Sequence, residues 1–92
     1  MKPNGIWENN LLKAISINIE EIYITVALRK QLDSAKAEKL AEKILENIEI
    51  VPIQVRKGEG RFVLIRGIHR LEALKLLGEK TVKAFIVSAR QH

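Results

Sequence analysis

The run Arg66-Gly67-Ile68-His69-Arg70 constrains this chain more than any other stretch. An unbroken apolar run, Phe62-Val63-Leu64-Ile65, leads into it, and Leu71-Glu72-Ala73-Leu74-Lys75-Leu76-Leu77 leads out with helical spacing. A strand that passes through a glycine turn into a helix is where an α/β unit presents free backbone N–H groups at the positive end of a helix dipole. Gly67 stands where Ser, Thr, Asp or Asn would normally cap the helix, so no side chain there answers those groups. His69 and Arg70 follow at once with two further donors. The local chemistry favours an anion, phosphate above others. The same residues also suit a plain helix start hydrated by water, with His69 and Arg70 on the surface.

Around this junction the pattern predicts the order β-α-β-β-α-β, an α+β fold with helices packed on a small mixed sheet. The length, 92 residues with no linker-like stretch, predicts a single domain over 1–92. Ile15, Ile17 and Ile19 alternate with polar residues and predict a strand over 13–19. Glu20-Glu21-Ile22 reads as a turn, and 23–31 as a loop with a short extended piece at 24–27. Asp33 or Ser34 caps a helix running to about Asn47, its apolar stripe being Ala37, Leu40, Ala41, Ile44 and Ile48. A strand over 51–56 carries Pro52 early, where proline is tolerated, and Lys57-Gly58-Glu59-Gly60 forms a hairpin loop. Residues 61–66 return antiparallel, their apolar run implying cover on both faces. The next helix, about 68–77, ends at Gly78, a left-handed C-terminal cap. The last strand, 80–87, is then expected parallel to 61–66 through a right-handed crossover. Residues 1–14 read as an N-terminal arm or short helix, with Ile6, Trp7, Leu11 and Ala14 as a stripe that Gly5 and Asn9-Asn10 weaken, and 88–92 as a tail. Trp7 suits a packing or homodimer contact better than a base-stacking platform.

The charges on the helix after Asp33 are sorted by sign. Lys36, Lys39 and Lys43 lie on one flank, while Glu38, Glu42 and Glu46 form a separate column. Like charges four apart cost a few tenths of a kcal/mol each in an isolated helix, about the worth of a favourable pair. A surface built only for solubility has no reason to sort them. The lysine flank is therefore either one side of a solvated amphipathic helix or a surface turned toward a polyanion.

Composition removes whole classes of chemistry. With no cysteine, disulfides, thiolate metal sites and cysteine catalysis are excluded, and two histidines without a cluster argue against structural zinc. No apolar run approaches the ~20 residues of a membrane span, and the N-terminus lacks the apolar core of a signal peptide, so a cytoplasmic protein without a membrane partner is expected. The net charge of +5 permits a nucleic-acid partner without selecting one. No triad or metal-ligand set is visible by spacing. His69 has three readings: a structural histidine donating to a backbone carbonyl, a phosphate ligand beside Arg70, or a general base. Arg70 grips phosphate better than a lysine would, through its planar fork. Arg66 can do the same or cover the sheet edge. If Arg70 is exposed and serves only a ligand, its removal should leave folding nearly unaffected.

Gly67-Ile68-His69-Arg70 followed by Leu71-Glu72-Ala73 resembles the G-x-x-R-x-x-A signature of the ParB N-terminal domain and the G-C-H-R signature of sulfiredoxin. The likeness runs from about Ile15 to Val87 and takes in Leu32-Asp33-Ser34-Ala35-Lys36 and Val51-Pro52-Ile53-Gln54-Val55. It implies the fold shared by those families, with a nucleotide at this turn: Gly67, Ile68, His69 and Arg70 would hold ATP or another nucleotide, with Mg2+ as its companion. In sulfiredoxin the helix opening with a similar Leu-Asp-x-x-Lys contributes side chains to the phosphates. The matching positions here are Lys36, Lys39 and Lys43, of which only the first keeps the residue type.

Departures narrow the function. Where sulfiredoxin has its cysteine this chain has Ile68, so reduction of sulfinic acid is excluded. ParB has Arg-Arg where His69-Arg70 stand, and the sequence runs to His92 without the acidic-Asn segment or a helix-turn-helix region, which argues against a CTP-driven DNA clamp from this polypeptide alone. Small serine kinases of the same fold carry His-Arg at the turn and use an acidic base, for which Glu20 or Glu21 is available. The expectation is a nucleotide- or phosphate-binding domain, with weak NTPase or phosphotransfer activity left open. The alternative is a ParB-like DNA-binding or partition accessory protein without nucleotide turnover.

Overall fold

A computed structural model describes residues 13–48 and 51–87. The expectations for residues 1–12, Trp7 included, and for the 88–92 tail lie outside the described residues. The elements are β1 (Ile15–Asn18), β2 (Ile22–Tyr23), α1 (Val26–Arg29), α2 (Ser34–Leu45), β3 (Ile53–Lys57), β4 (Phe62–Arg66), α3 (Ile68–Leu76) and β5 (Thr81–Ile86). The strands form one mixed sheet in the order β1-β5-β3-β4-β2.

The α+β architecture expected from the sequence is present, with two elements added and one direction reversed. The stretch expected to be a turn at 20–22 and a loop at 23–31 holds both additions. A single 3-10 turn, Ile19–Glu21, ends β1 and hands the chain to β2, which pairs parallel to β4 through Ile22–Phe62 and Tyr23–Val63. The extended piece thus lies at 22–23, ahead of the 24–27 expected. Val26–Arg29 is helical instead, because the Thr25 hydroxyl accepts the Leu28 N–H at 3.3 Å and caps it.

The last strand runs opposite to expectation. β5 is parallel to β3, which is antiparallel to β4, so β5 and β4 point in opposite directions. The register supplies the reason. Arg66, at the end of β4, stands opposite Gln54, and Gln54 pairs with Phe85, yet β5 begins four positions earlier at Thr81. Four strand residues span ~13 Å, and the nine residues of α3 are also ~13 Å long. The helix carries the chain onward past the end of β4, and β5 has to come back.

The core follows from alternation. Ile17, Ile53, Val55, Leu64, Val82 and Ala84 point to one face of the sheet, where Ile68 and Leu71 of α3 meet them. Ile53, Val55, Leu64 and Leu71 are the largest side chains fully withdrawn from water, worth roughly 1.5–3 kcal/mol each. α2 packs on α3 rather than deep on the sheet, burying Ala37 and Ala41. Ile48 of the expected stripe lies past the end of α2 and is exposed. In β4 cover on both faces holds for Val63 and Leu64 but fails at Ile65, which is 42% exposed where the β3–β4 register shifts.

Candidate functional site

The junction after β4 is built around Gly67, whose φ of 113° and ψ of 31° lie in the left-handed region. A Cβ added there would stand 2.6 Å from Cγ2 of the buried Ile53. Glycine is therefore required twice, for the backbone turn and for the close approach of the turn to β3. In consequence α3 starts without a cap: no side chain accepts from its first turn. The first intrahelical bond runs from Leu71 N–H to the Gly67 carbonyl at 2.9 Å, which leaves the N–H groups of Ile68, His69 and Arg70 without a partner among the described residues. α2 shows the contrast, since Asp33 Oδ1 accepts from Ala35 N–H at 3.0 Å and from Lys36 N–H at 3.4 Å.

Three cationic or polar side chains frame this start, each fixed differently. His69 Nε2 accepts the backbone N–H of Asp33 at 2.9 Å, so the ring carries its proton on Nδ1, the one ring donor left for a ligand. The structural role expected for His69 is thus present with the polarity reversed: it accepts from the main chain where donation to a carbonyl was expected. The bond also joins the first turn of α3 to the cap of α2. Arg70 Nη1 donates to the carbonyls of Val51 at 2.9 Å and Pro52 at 2.7 Å, leaving Nε and Nη2 for another acceptor. Arg70 is half-buried, contrary to the exposed side chain that a ligand-only role would have. Burial, and then the neighbouring charge of Arg66, push the Arg70 guanidinium below its usual value. Among the described residues the ion pair formed is Lys75–Glu72, at 3.2 Å, and no carboxylate neutralises either arginine. Two guanidiniums that no described carboxylate neutralises, beside an open helix N-terminus, make a strongly anion-philic corner.

Two cavities meet at this corner. One, of about 500 Å³, is lined by Arg66, Gly67, Ile68, His69 and Arg70, with Leu28, Leu40 and Ile65 as its apolar walls. The other, of about 550 Å³, shares Arg66, Arg70 and Leu40 and adds Lys43, Val51 and Gln54. The structure therefore brings together Gly67, Ile68, His69 and Arg70, with Ile68 contributing its N–H while its side chain is buried in the core. It brings Lys43 to the second cavity, but Lys36 and Lys39 are exposed and line neither. Arg66 links both cavities, and its position before the glycine was the signal for it in the sequence. The roles of Leu28 and Leu40 had no such signal, because they depend on how α1 and α2 pack.

Glu20 and Glu21 do not reach the turn. β2 runs parallel to β4 from Ile22–Phe62, so Ile22, the residue after Glu21, lies beside the start of β4 while Gly67 follows its end, five strand positions or ~16 Å further on. Among the described residues no three His, Asp or Glu side chains gather into a metal-binding group, and no helix is long and apolar enough to cross a membrane.

Comparison with known proteins places this geometry in context. The profile of the ParB N-terminal domain matches residues 7–92. A probable chromosome-partitioning protein ParB from Campylobacter jejuni is 45% identical over 58 residues, covering 63% of this chain. The chain spans 21% of that relative's length. Among solved structures, sulfiredoxin from Arabidopsis thaliana superposes with a TM-score of 0.71 at 26% identity, over 83% of this chain and 85% of that one. A C-terminally truncated chromosome-partitioning protein ParB from Caulobacter crescentus, complexed with CTP-gamma-S, gives 0.72 at 23%, over 85% and 46%. A free serine kinase variant in complex with ADP gives 0.70 at 23%, over 82% and 31%.

Proposed function

This chain belongs to the ParB N-terminal domain family, and from that premise we propose that it binds a nucleotide, with the phosphates at the Gly67–Arg70 turn. The observation that carries this is the uncapped first turn of α3 opening on a cavity of about 500 Å³ flanked by Arg66 and Arg70. The N–H groups of Ile68, His69 and Arg70 are the donors, and Gly67, lacking a side chain, leaves the approach clear. Arg70, held by two carbonyls, offers its remaining donors from a fixed position, so little side-chain entropy is lost when an anion arrives. Nδ1–H of His69 is a further donor.

The second cavity suits the rest of the ligand. Leu40, Ile48 and Val51 give it a more apolar wall, Gln54 supplies a carboxamide, and Lys43 stands at its rim. Lys36 and Lys39, which line neither cavity, contribute through long-range attraction alone. A magnesium ion would come with the phosphates, because the described residues gather no carboxylate set to hold one. Binding without turnover is the activity favoured, since Glu20 and Glu21, the available acidic bases, lie at the other end of β4. That relatives of the same fold were solved with CTP-gamma-S and ADP supports a nucleotide over a simple anion.

Calorimetry with CTP, ATP, GTP and ADP, with and without magnesium, tests this. Saturable binding of at least one nucleotide, weakened about tenfold in Arg66→Ala, is expected. No heat from any nucleotide at millimolar concentration would remove the proposal. Mixed-sequence duplex DNA in the same series tests the DNA-binding alternative.

A further inference from the structure

The core occupies one face of the sheet, and the other face has a different chemistry. Its residues are set by register. Tyr23 pairs with Val63, and Val63 with Arg56, a row across β2, β4 and β3. Gln54 pairs with Phe85 in the next row, and Lys83 with Ser16 beyond it. None of these belongs to the core cluster under the helices; Val63 is buried beneath its neighbours, Gln54, Arg56 and Phe85 are half-buried, and Tyr23, Lys83 and Ser16 are exposed. Tyr23 and Phe85 are two of the three aromatic residues in the described part of the chain, and both are spent on this outer face while Phe62 packs against the core. Tyr23 is 41% exposed, and the guanidinium of Arg61 lies 4.1 Å from its ring centroid, a stacked cation that extends the flat surface. The charges here have one sign. Arg56, Arg61 and Lys83 contribute three cations, Arg66 at the end of β4 a fourth, and no carboxylate shares the rows.

We infer that this outer sheet face binds single-stranded nucleic acid. A sheet face that carries separated aromatic rings among arginines stacks unpaired bases on the rings and holds the intervening phosphates with the cations. Tyr23 and Phe85 stand three strands apart, ~14 Å across the sheet, with Arg56 and Gln54 between them, so one strand laid across β5, β3, β4 and β2 meets both rings. A duplex, its bases already stacked, uses the cations alone. Charge complementarity favours a polyanion over a second copy of this chain, since two such faces would repel. The face meets the nucleotide site at Gln54 and Arg66, but Tyr23, Phe85, Arg56, Arg61 and Lys83 line neither of its cavities, so the two sites are tested separately through these residues.

The test is fluorescence anisotropy of the full chain with a labelled mixed-sequence 12-mer, as single strand and as duplex, over a salt series starting at 50 mM. Tyr23→Leu and Phe85→Leu keep apolar bulk while removing the π-face, and circular dichroism confirms that each variant is folded. Binding of the single strand at least tenfold tighter than the duplex is expected, with a loss of about fivefold or more in each leucine variant. Arg56→Ala should flatten the salt dependence by close to one phosphate contact. Equal or tighter binding of the duplex, unaltered binding in both leucine variants, or no binding at 50 mM salt would overturn the inference. So would sedimentation showing a dimer that Tyr23→Leu dissociates, which would assign the face to a second copy.

Discussion

His69 and Asp33 are 36 positions apart in sequence and joined in the fold, the imidazole Nε2 accepting the Asp33 N–H at 2.9 Å. This bond sets two helix N-termini side by side, one capped by its own aspartate and the other open. His69→Ala should destabilise the protein by about 0.5–1.5 kcal/mol, the ordinary worth of such a bond. His69→Gln, whose amide oxygen can accept from the same place, should recover most of that. Urea unfolding midpoints of the two variants decide it, and equal loss in both would remove the bond as the cause.

Gly67→Ala should be the most damaging single change at the site. It forces an alanine into a left-handed backbone and brings its Cβ to 2.6 Å from Ile53 Cγ2, in a part of the core that cannot give way. A loss of about 2 kcal/mol or more is expected, which for a domain of this size lowers Tm by roughly 8–16 °C. A thermal melt within 3 °C of the parent, taking ~3 °C as under 1 kcal/mol on that scale, would contradict this description of the turn.

Arg70→Ala should lower both stability and affinity. The side chain holds the Val51 and Pro52 carbonyls, so truncation releases the segment leading into β3 at a cost of about 1.5–3 kcal/mol, and also removes donors from the phosphate corner. Denaturant midpoint and nucleotide Kd should both move. A change in only one would show that the residue has a single role.

Arg66→Ala should separate what Arg70→Ala couples. Arg66 is exposed, and its charge disfavours the protonated state of its neighbour Arg70. Its removal should leave Tm unchanged or slightly raised while weakening nucleotide binding about tenfold. Among the lysines, Lys43→Ala should weaken binding more than Lys36→Ala or Lys39→Ala, because Lys43 alone of the three lines a cavity at the corner. Calorimetry on the four variants gives the order directly.

Much of this was legible in the residues. The alternation at Ile15 and Ile17, the Asp33 cap, the Gly58–Gly60 hairpin, Gly67 and Gly78 each declare local structure through short-range chemistry, and the elements they bound are present. What stayed hidden depends on distant partners. Ile22–Tyr23 is a strand because β4 offers it an edge, which no property of two residues reveals. The direction of β5 depends on where a nine-residue helix ends relative to a register set elsewhere. Arg70 announces a charged fork, but its two carbonyl partners belong to a segment 18 and 19 positions away. The ring proton of His69 is placed by Asp33, so its reversed polarity could not be read from the turn alone.

Backbone amide NMR with a nucleoside triphosphate titrated into the full chain tests the central claim most directly. If the open first turn of α3 receives the phosphates, the amide signals of Ile68, His69 and Arg70 should shift most, saturate together, and need about tenfold more ligand to do so in Arg66→Ala. Shifts of CTP, ATP and GTP titrations confined to other elements, or none at these three amides up to saturation, would contradict it.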